Sequence, residues 1–390
     1  MKNKAKIIFH IDLNAFYASV SAINDPYLKD KVFVVGGSAV TSRGVITTAS
    51  YKARALGIKS AMPISEAIKI YPKVLVVPVN HKEYKKYSNL FIKFLRSYTD
   101  RVLVASIDEA YLDVTEITKD IHPLDLAKQM QQKLYEKYEL PSSIGIAPTL
   151  YLAKMASDLK KPMGITVLRK RDIPKMILPL PIKELHGLGI KTYPYLEKQG
   201  IKTIGDFARK ENKELILNYM TEENYQKFIN SILGNSSNNV DPSKYDIPKS
   251  ISNETTFSYD IDSYDLLLEE LSSLYEVIFK RLIKENLLAK TITIKLRDTN
   301  FKTITRSKSL NDYSSDYNTF KDMMEELFYD NYNNKQLRLV GVGYNNIILA
   351  KEYEQDYNLF TYQKILNNET WYNINGNEEL WWIITIIWKN

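Results

Sequence analysis

The chain opens on a nearly unbroken apolar run, KIIFHIDL (residues 6–13), which has the character of a buried strand. In AFYASVSAI (15–23) the apolar residues recur at helical spacing instead, so a helix follows directly on Asp12 and Leu13. A second strand, KVFVVGG (31–37), ends in glycines. YKARALGI and MPISEAIKIYP read as short helices, the latter stopped by Pro72. HKEYKKYSNLFIKFLRSYT (81–99) puts Tyr84, Tyr87, Phe91, Phe94 and Tyr98 on one helical face with lysines opposite. RVLVASIDEAYLDVT (101–115) then reads as two short strands that meet at Asp108 and Glu109. PLDLAKQMQQKLYEKY follows as a helix, SSIGIAP as a strand, and TLYLAKMASDLKKP as a helix closed by Pro162.

From about 167 to 233 the pattern predicts small helices, including HGLGIKTYPYLEKQGI (186–201). The turn formers of GNSSNNVDPSKYDIP (234–248) mark a linker. Beyond it come strand KSISNETTF, a long helix to about 286, strands KTITIKL and FKTITRSKSL, a helix near 318–330, and strand QLRLVGVGYNNII. That order, βαββαβ, is the split-βαβ arrangement. A polar tail rich in Tyr and Trp follows from about 351, and no segment repeats.

A chain of 390 residues exceeds a single ordinary core, so several compact units are expected. Lys and Arg number 53 against 46 Asp and Glu, for a net charge of +7, which admits a polyanionic partner without requiring one. Cysteine is absent, which excludes disulfides and thiolate metal sites, and His10, His81, His122 and His186 show no ligand spacing. No run reaches the ~18 apolar residues of a membrane span, and the basic N-terminus lacks a signal peptide's pattern. A soluble, cytoplasmic protein without membrane contact is the expectation.

Asp12 closes one apolar strand, while Asp108 and Glu109 sit where two others meet. Neighbouring strands would bring the three carboxylates together, and such a group resists burial unless cations neutralise it. Hard divalent ions suit oxygen ligands, and two ions roughly 3.5–4 Å apart serve phosphoryl or nucleotidyl transfer. A hairpin-turn acidic pair with Asp12 as a helix cap accounts for the same residues, and spacing alone does not separate the two. In TTASYKAR (47–54), Thr48, Tyr51 and Arg54 fall at three-residue steps, which on one helix gives either a set of phosphate donors or a solvated face. Lys161, before Pro162, adds a cation to either reading.

IDLNAFYASV, TTASYKARALGIKSAMP, ASIDEAYLDVT and IGIAPTLYLAKMASDLKKPMGI occur together, in the order and approximate positions of one family. Through them the chain resembles the Y-family translesion DNA polymerases, of the DNA polymerase IV type. The resemblance is strong over residues 6 to about 166, moderate through the βαββαβ segment, and slight in the tail. It implies an α+β, right-hand polymerase with palm (1–12 and 78–166), small fingers (13–77), helical thumb (167–233), the 234–248 linker and a βαββαβ little finger (249–350). The implied activity is error-tolerant, poorly processive primer extension with two Mg²⁺ ions per site, on primer-template DNA and deoxynucleoside triphosphates, by a monomer.

Residue by residue, the resemblance makes Asp12, Asp108 and Glu109 the metal-binding carboxylates, joined by the backbone carbonyl of Leu13. Asp108 and Glu109 carry the catalytic role. Thr48, Tyr51, Arg54 and Lys161 match triphosphate contacts, and Phe16 and Tyr17 lie on the nucleotide side. Tyr17 is the steric gate that clashes with a 2′-hydroxyl, while Phe16 beside it packs toward the core. Thr47 and Ala61 fall where small residues roof the nascent base pair. HGLGIKTYPYLEKQGI resembles a helix-hairpin-helix, in which amides of the Gly187 to Gly189 turn meet a DNA phosphate, with Tyr193 and Pro194 in place of the usual small residues. Thr192 is the expected cap of its second helix. Lys295, Arg297, Lys302, Arg306 and Lys308 are expected mostly on one sheet face, against the duplex backbone. QDYNLF resembles a sliding-clamp peptide, with Gln355, Leu359 and Phe360 as its anchors and one extra residue between the first two. Three rivals accompany this reading: an SOS mutagenesis polymerase subunit needing accessory proteins, a non-catalytic DNA-bound and clamp-bound scaffold, and another Mg²⁺-dependent nucleotidyl enzyme such as a cyclase.

Overall fold

The computed structural model describes residues 5–37, 44–245 and 247–353. The chain divides into two compact units, Met1–Asp246 and Ile247–Asn390, with the boundary inside the turn-rich 234–248 segment.

In the first unit the strands are β1 (Ile8–Leu13), β2 (Phe33–Gly36), β3 (Ile46–Ala49), β4 (Leu75–Pro78), β5 (Val102–Val104), β6 (Glu109–Asp113), β7 (Ser142–Ala147) and β8 (Ile165–Val167). Five of them form one sheet in the order β5-β6-β1-β7-β8, while β3-β2-β4 form a second, small sheet. β1 is central in the larger sheet, antiparallel to both β6 and β7. It is buried along its whole length because both faces are covered. Phe9, Ile11 and Leu13 point to one face, where Tyr84, Phe91 and Leu95 of the His81–Arg96 helix and Leu126, Met130 and Leu134 of the Pro123–Tyr138 helix complete the core. Ile8, His10 and Asp12 point to the other face. There Ile8 joins a second core built on Leu152, Ala153 and Ala156 of the Leu150–Asp158 helix and on the small helices between Ile173 and Ile232.

The smaller sheet packs on the short helices Tyr51–Ala55 and Ile64–Ile70 through Val34, Ile46, Ala53, Ile64 and Ala67. Thr48 belongs to β3, opposite Val35, and not to the helix that carries Tyr51 and Arg54. The β-branched residues Ile46, Thr47 and Thr48 favour the strand, and Ser50 starts the helix by accepting the Ala53 amide at 3.2 Å.

The second unit holds β9 (Ser250–Ile261), β10 (Leu287–Asp298), β11 (Thr303–Ser314) and β12 (Leu337–Leu349), with helices Tyr264–Lys284 and Tyr317–Asn331 between them. The sheet order is β11-β10-β12-β9, all antiparallel, so each helical crossover is split by one strand. Both helices cover the same face through Leu271, Tyr275, Ile278, Phe320 and Phe328.

Candidate active site

The register of β1 against β6 places Asp12 directly opposite Glu109 and His10 opposite Tyr111. Because side chains alternate along strands, His10, Asp12 and Glu109 share the face that meets the Leu150–Asp158 helix. Ligand atoms of these three side chains lie within 4.8 Å of one another. His10 Nε2 stands 3.3 Å from Glu109 Oε2. Its Nδ1 is 2.8 Å from Ser157 Oγ on the helix. Burial pushes the His10 pKa down, against the upward pull of Glu109.

Two lysines provide the charge that this carboxylate pair requires. Lys154 Nζ is 3.2 Å from Asp12 Oδ2 and 2.5 Å from Glu109 Oε2. Lys161 Nζ is 2.8 Å from Asp12 Oδ2 and 2.7 Å from Asp158 Oδ1. The hydrogen bond of His10, with the ammonium of Lys154, holds the Glu109 carboxyl well below the usual carboxylate range. Asp108, one residue earlier, behaves in the opposite way. It lies in the turn between β5 and β6, where its carboxylate accepts a 2.6 Å hydrogen bond from Ser106. Burial raises its pKa, and the charges of Asp12 and Glu109 add to the effect. Its backbone carbonyl accepts from the Leu13 amide at 2.9 Å, which ties the acidic turn to the end of β1. Among the described residues, the tight trio is thus completed by His10, with Asp108 beside it.

Two structural details bring the lysines in. Gly145 of β7 is the register partner of His10 and lies under the Leu150–Asp158 helix. A Cβ there would sit 2.0 Å from the Ala153 carbonyl oxygen and 2.5 Å from the Ser157 nitrogen, so only glycine lets the helix approach this closely. Asn14 is buried just past β1, where its Oδ1 accepts the Met163 amide at 2.8 Å and its Nδ2 donates to Ser143 Oγ at 3.0 Å. It thereby pins the segment carrying Lys161 to the strand carrying Asp12.

Tyr17 is half-buried and stacks on Tyr84 with ring centroids 4.1 Å apart, while His81 meets it edge-on. Burial raises the Tyr17 phenol, as does the nearby Asp108 charge. Phe16 is 2% exposed and packs in the core, as its place beside the gate residue implies. Tyr51 and Arg54 are one helical turn apart, with the guanidinium 5.0 Å over the phenol ring and its Nε donating to the Ala49 carbonyl at 3.0 Å. Burial also raises the Tyr51 phenol, against the pull of Arg54 and Lys161, which puts Tyr51 in the same electrostatic field as Asp12. Thr47 and Ala61 are exposed, and Ala61 takes a left-handed conformation at φ 66°.

Gly187 has φ 91°, the left-handed turn geometry that favours glycine, and a Cβ on Gly189 would meet open space. Thr192 occupies the N-cap position of the Tyr193–Lys198 helix but makes no capping hydrogen bond, because its backbone lies at φ −120°, ψ −50° and not in the extended region that caps use. Tyr151, on the same helix as Lys154, donates to the His186 carbonyl at 3.1 Å and so ties this turn to the site.

In the second unit the expected basic face divides. Lys295 and Arg297 lie on the open face of β10, opposite Thr305 and Thr303. Arg306 and Lys308 point to the other, helix-bearing side at the exposed edge strand, because the β10–β11 register pairs them with the inward-facing Ile294 and Ile292. Arg306 bonds Asn331 and Lys308 pairs with Glu326, both on the Tyr317–Asn331 helix. Lys302 sits in the connecting turn. The open face also carries Glu254, which pairs with Lys295 at 2.6 Å, and the small residues Thr291, Thr293, Ser307, Ser309, Gly341 and Gly343 aligned across the strands. Gln355, Leu359 and Phe360 lie outside the described residues.

Sequence reasoning missed His10, Gly145, Lys154 and Ser157. A signal existed for two of them. His10 and Asp12 are two apart on a strand and must share a face, while Lys154, Asp158 and Lys161 recur at helical spacing.

The sequence matches the impB/mucB/samB family over residues 11–158 and the C-terminal domain of that family over residues 248–357. DNA polymerase IV of Bacillus velezensis is 38% identical, over 95% of this chain and 89% of its own length. A Y-family DNA polymerase chimera of solved structure superposes with a TM-score of 0.78 at 28% identity, covering 88% of this chain and 99% of its own. An insertion ternary complex of Dbh DNA polymerase gives 0.64 at 27% identity with the same coverage. At this identity over nearly its full extent, the chain belongs to the Y-family DNA polymerases, in the DNA polymerase IV group.

Proposed function

We propose that the chain carries out low-fidelity, poorly processive translesion synthesis, adding deoxynucleotides to a primer 3′-hydroxyl on damaged templates. The observation that carries this reading is the cross-strand pairing of Asp12 with Glu109 beside Asp108 on a face lined with lysines. In this reading the palm is 1–12 with 78–166, the fingers 13–77, the thumb 167–233 and the little finger 249–350, joined through 234–248.

The donor set suits Mg²⁺. Asp12, Asp108, Glu109 and the Leu13 carbonyl are hard oxygen ligands, and the lodging of Lys154 between two of the carboxylates marks the place as one that takes positive charge. Two Mg²⁺ ions bound by these residues would supply Lewis-acid stabilisation to the primer hydroxyl and to the leaving pyrophosphate. The chain's own groups position and neutralise. Lys161 pairs with Asp12, Tyr51 lies in the field of both and of Arg54, and the three offer donors to a triphosphate, with Thr48 on the adjoining strand. Tyr17, braced by Tyr84, presents a rigid ring to the sugar. The helices described within 13–77 are short, the longest being Phe16–Asn24, which supports a site that checks the base pair loosely. Lys295 and Arg297, with the Gly187 to Gly189 turn, offer contacts to the DNA backbone.

Primer extension on undamaged and lesion-bearing templates, with Asp108→Ala as control, tests the reading. Extension past a lesion that is abolished in Asp108→Ala, with DNA binding retained, supports it. Extension that survives Asp108→Ala removes the catalytic assignment.

A further inference from the structure

Lys154 occupies the space between two carboxylates that would repel one another if left unpaired. It is 13% exposed, and its ammonium contacts Asp12 Oδ2 at 3.2 Å and Glu109 Oε2 at 2.5 Å. A third acceptor is within reach, since Asp158 Oδ2 lies 3.9 Å from the same Nζ, one helical turn along. Buried and partly buried carboxylates this close stay ionised only beside compensating charge, so the metal-free protein needs an internal cation as much as the loaded one needs metal. Tethering on a helix held down at Gly145 limits that cation's excursion to these three acceptors.

We propose, resting on the reading of Asp12 and Glu109 as metal-binding carboxylates, that Lys154 is their resident counter-ion. It holds both in place in the metal-free protein and passes to Asp158 when a divalent cation takes them. The idle site is thereby kept charge-balanced, and its affinity for divalent cations is held down. Asp158 can receive the ammonium because its Oδ2 faces Lys154 while Lys161 takes Oδ1, and because it is more exposed than Asp12.

The test uses the full chain, free of metal and DNA, with Mn²⁺ as the probe, followed by calorimetry and by electron paramagnetic resonance of free Mn²⁺. Lys154→Met is expected to tighten Mn²⁺ binding on the order of tenfold. It should also lower Tm in chelator, with Mn²⁺ restoring it. Asp158→Asn is expected to weaken Mn²⁺ binding in the native background and to do so less in the Lys154→Met background. An unchanged affinity in Lys154→Met, or an equal effect of Asp158→Asn in both backgrounds, overturns the counter-ion role. Lys154→Gln carries the same expectations should Lys154→Met fail to fold. Asp12→Asn separates the proposal from the reading beneath it. If Asp12→Asn abolishes Mn²⁺ binding while Lys154→Met alters nothing, only the counter-ion role fails. If Asp12→Asn leaves binding intact, the metal-site reading fails and takes the proposal with it.

Discussion

Gly145→Ala adds one methyl group between β7 and the Leu150–Asp158 helix, and its consequence can be worked from the geometry. The new Cβ would lie 2.0 Å from the Ala153 carbonyl oxygen, 2.5 Å from the Ser157 nitrogen and 3.0 Å from Ala156 Cβ. Two of these neighbours are helix backbone, which cannot rotate away as a side chain can. Restoring ordinary van der Waals distance lifts the Leu150–Asp158 helix from β7 by more than ~1 Å. The Ser157–His10 contact at 2.8 Å and the Lys154–Asp12 contact at 3.2 Å would then pass beyond the hydrogen-bonding range of about 3.2 Å. Overpacking of this kind destabilises by ~1–3 kcal/mol, and a misplacement of about 1 Å among positioning groups slows turnover by about 100-fold. Urea unfolding should show a lower midpoint with an unchanged slope. Single-turnover insertion of a correct nucleotide should slow by about 100-fold while primer-template affinity holds. A destabilised Gly145→Ala protein that still inserts at the native rate would refute the claim that this helix positions the site.

Tyr17→Ala should raise ribonucleotide incorporation relative to deoxynucleotide, measured as the ratio of kcat/KM values, and an unchanged ratio removes the steric-gate role. Arg297→Ala should weaken DNA binding and lower the salt-dependence slope by about 1; Lys295→Ala, which also breaks a pair with Glu254, should lower it by less, and Lys308→Ala, which breaks a pair with Glu326 on the helix side, should leave that slope alone. Burial raises the Asp113 carboxyl, but hydrogen bonds from Thr115 and the Lys6 ammonium outweigh it and leave the pKa lowered. That stabilisation is complete above the unfolded-state pKa of about 3.9 and is lost as pH falls through the lower folded value. Asp113→Asn should therefore cost ~1–3 kcal/mol at neutral pH, with the gap to the native protein closing below about pH 4; a gap constant into acid contradicts this. Removing residues 351–390 should spare distributive synthesis and abolish stimulation by a sliding clamp, so a truncated enzyme that is still stimulated would exclude the Gln355, Leu359 and Phe360 peptide.

Much of the fold was readable because each element buries a set of residues with its own period. KIIFHIDL announced a strand covered on both faces, and the Tyr84, Phe91 and Phe94 stripe announced the helix that covers one of them. The acidic turn was readable too, since adjacent carboxylates at a strand junction ask for an explanation. Strand order was not, because the pairing of Asp12 with Glu109 is a tertiary choice that no local pattern states. Lys154 was hidden for a similar reason, as a lysine on an amphipathic helix looks solvated until the helix's partner is known. The basic strands failed on parity. Lys295 pairs with Thr305, so odd residues of β10 and β11 share the open face and the even-numbered Arg306 and Lys308 turn to the helix-bearing side. One residue more or fewer in the turn would have reversed that outcome.

β1 divides its labour by parity as well. The side chains of Phe9, Ile11 and Leu13 serve the core that builds the domain, while those of His10 and Asp12, between them, join the acidic group with Glu109. Selection for protein abundance and selection for polymerase activity therefore act on interleaved positions of a single six-residue strand. A lineage can retune one without touching the other, and a variant that accumulates normally yet copies poorly points to His10 or Asp12, since Ile8, the remaining even position, is a core residue.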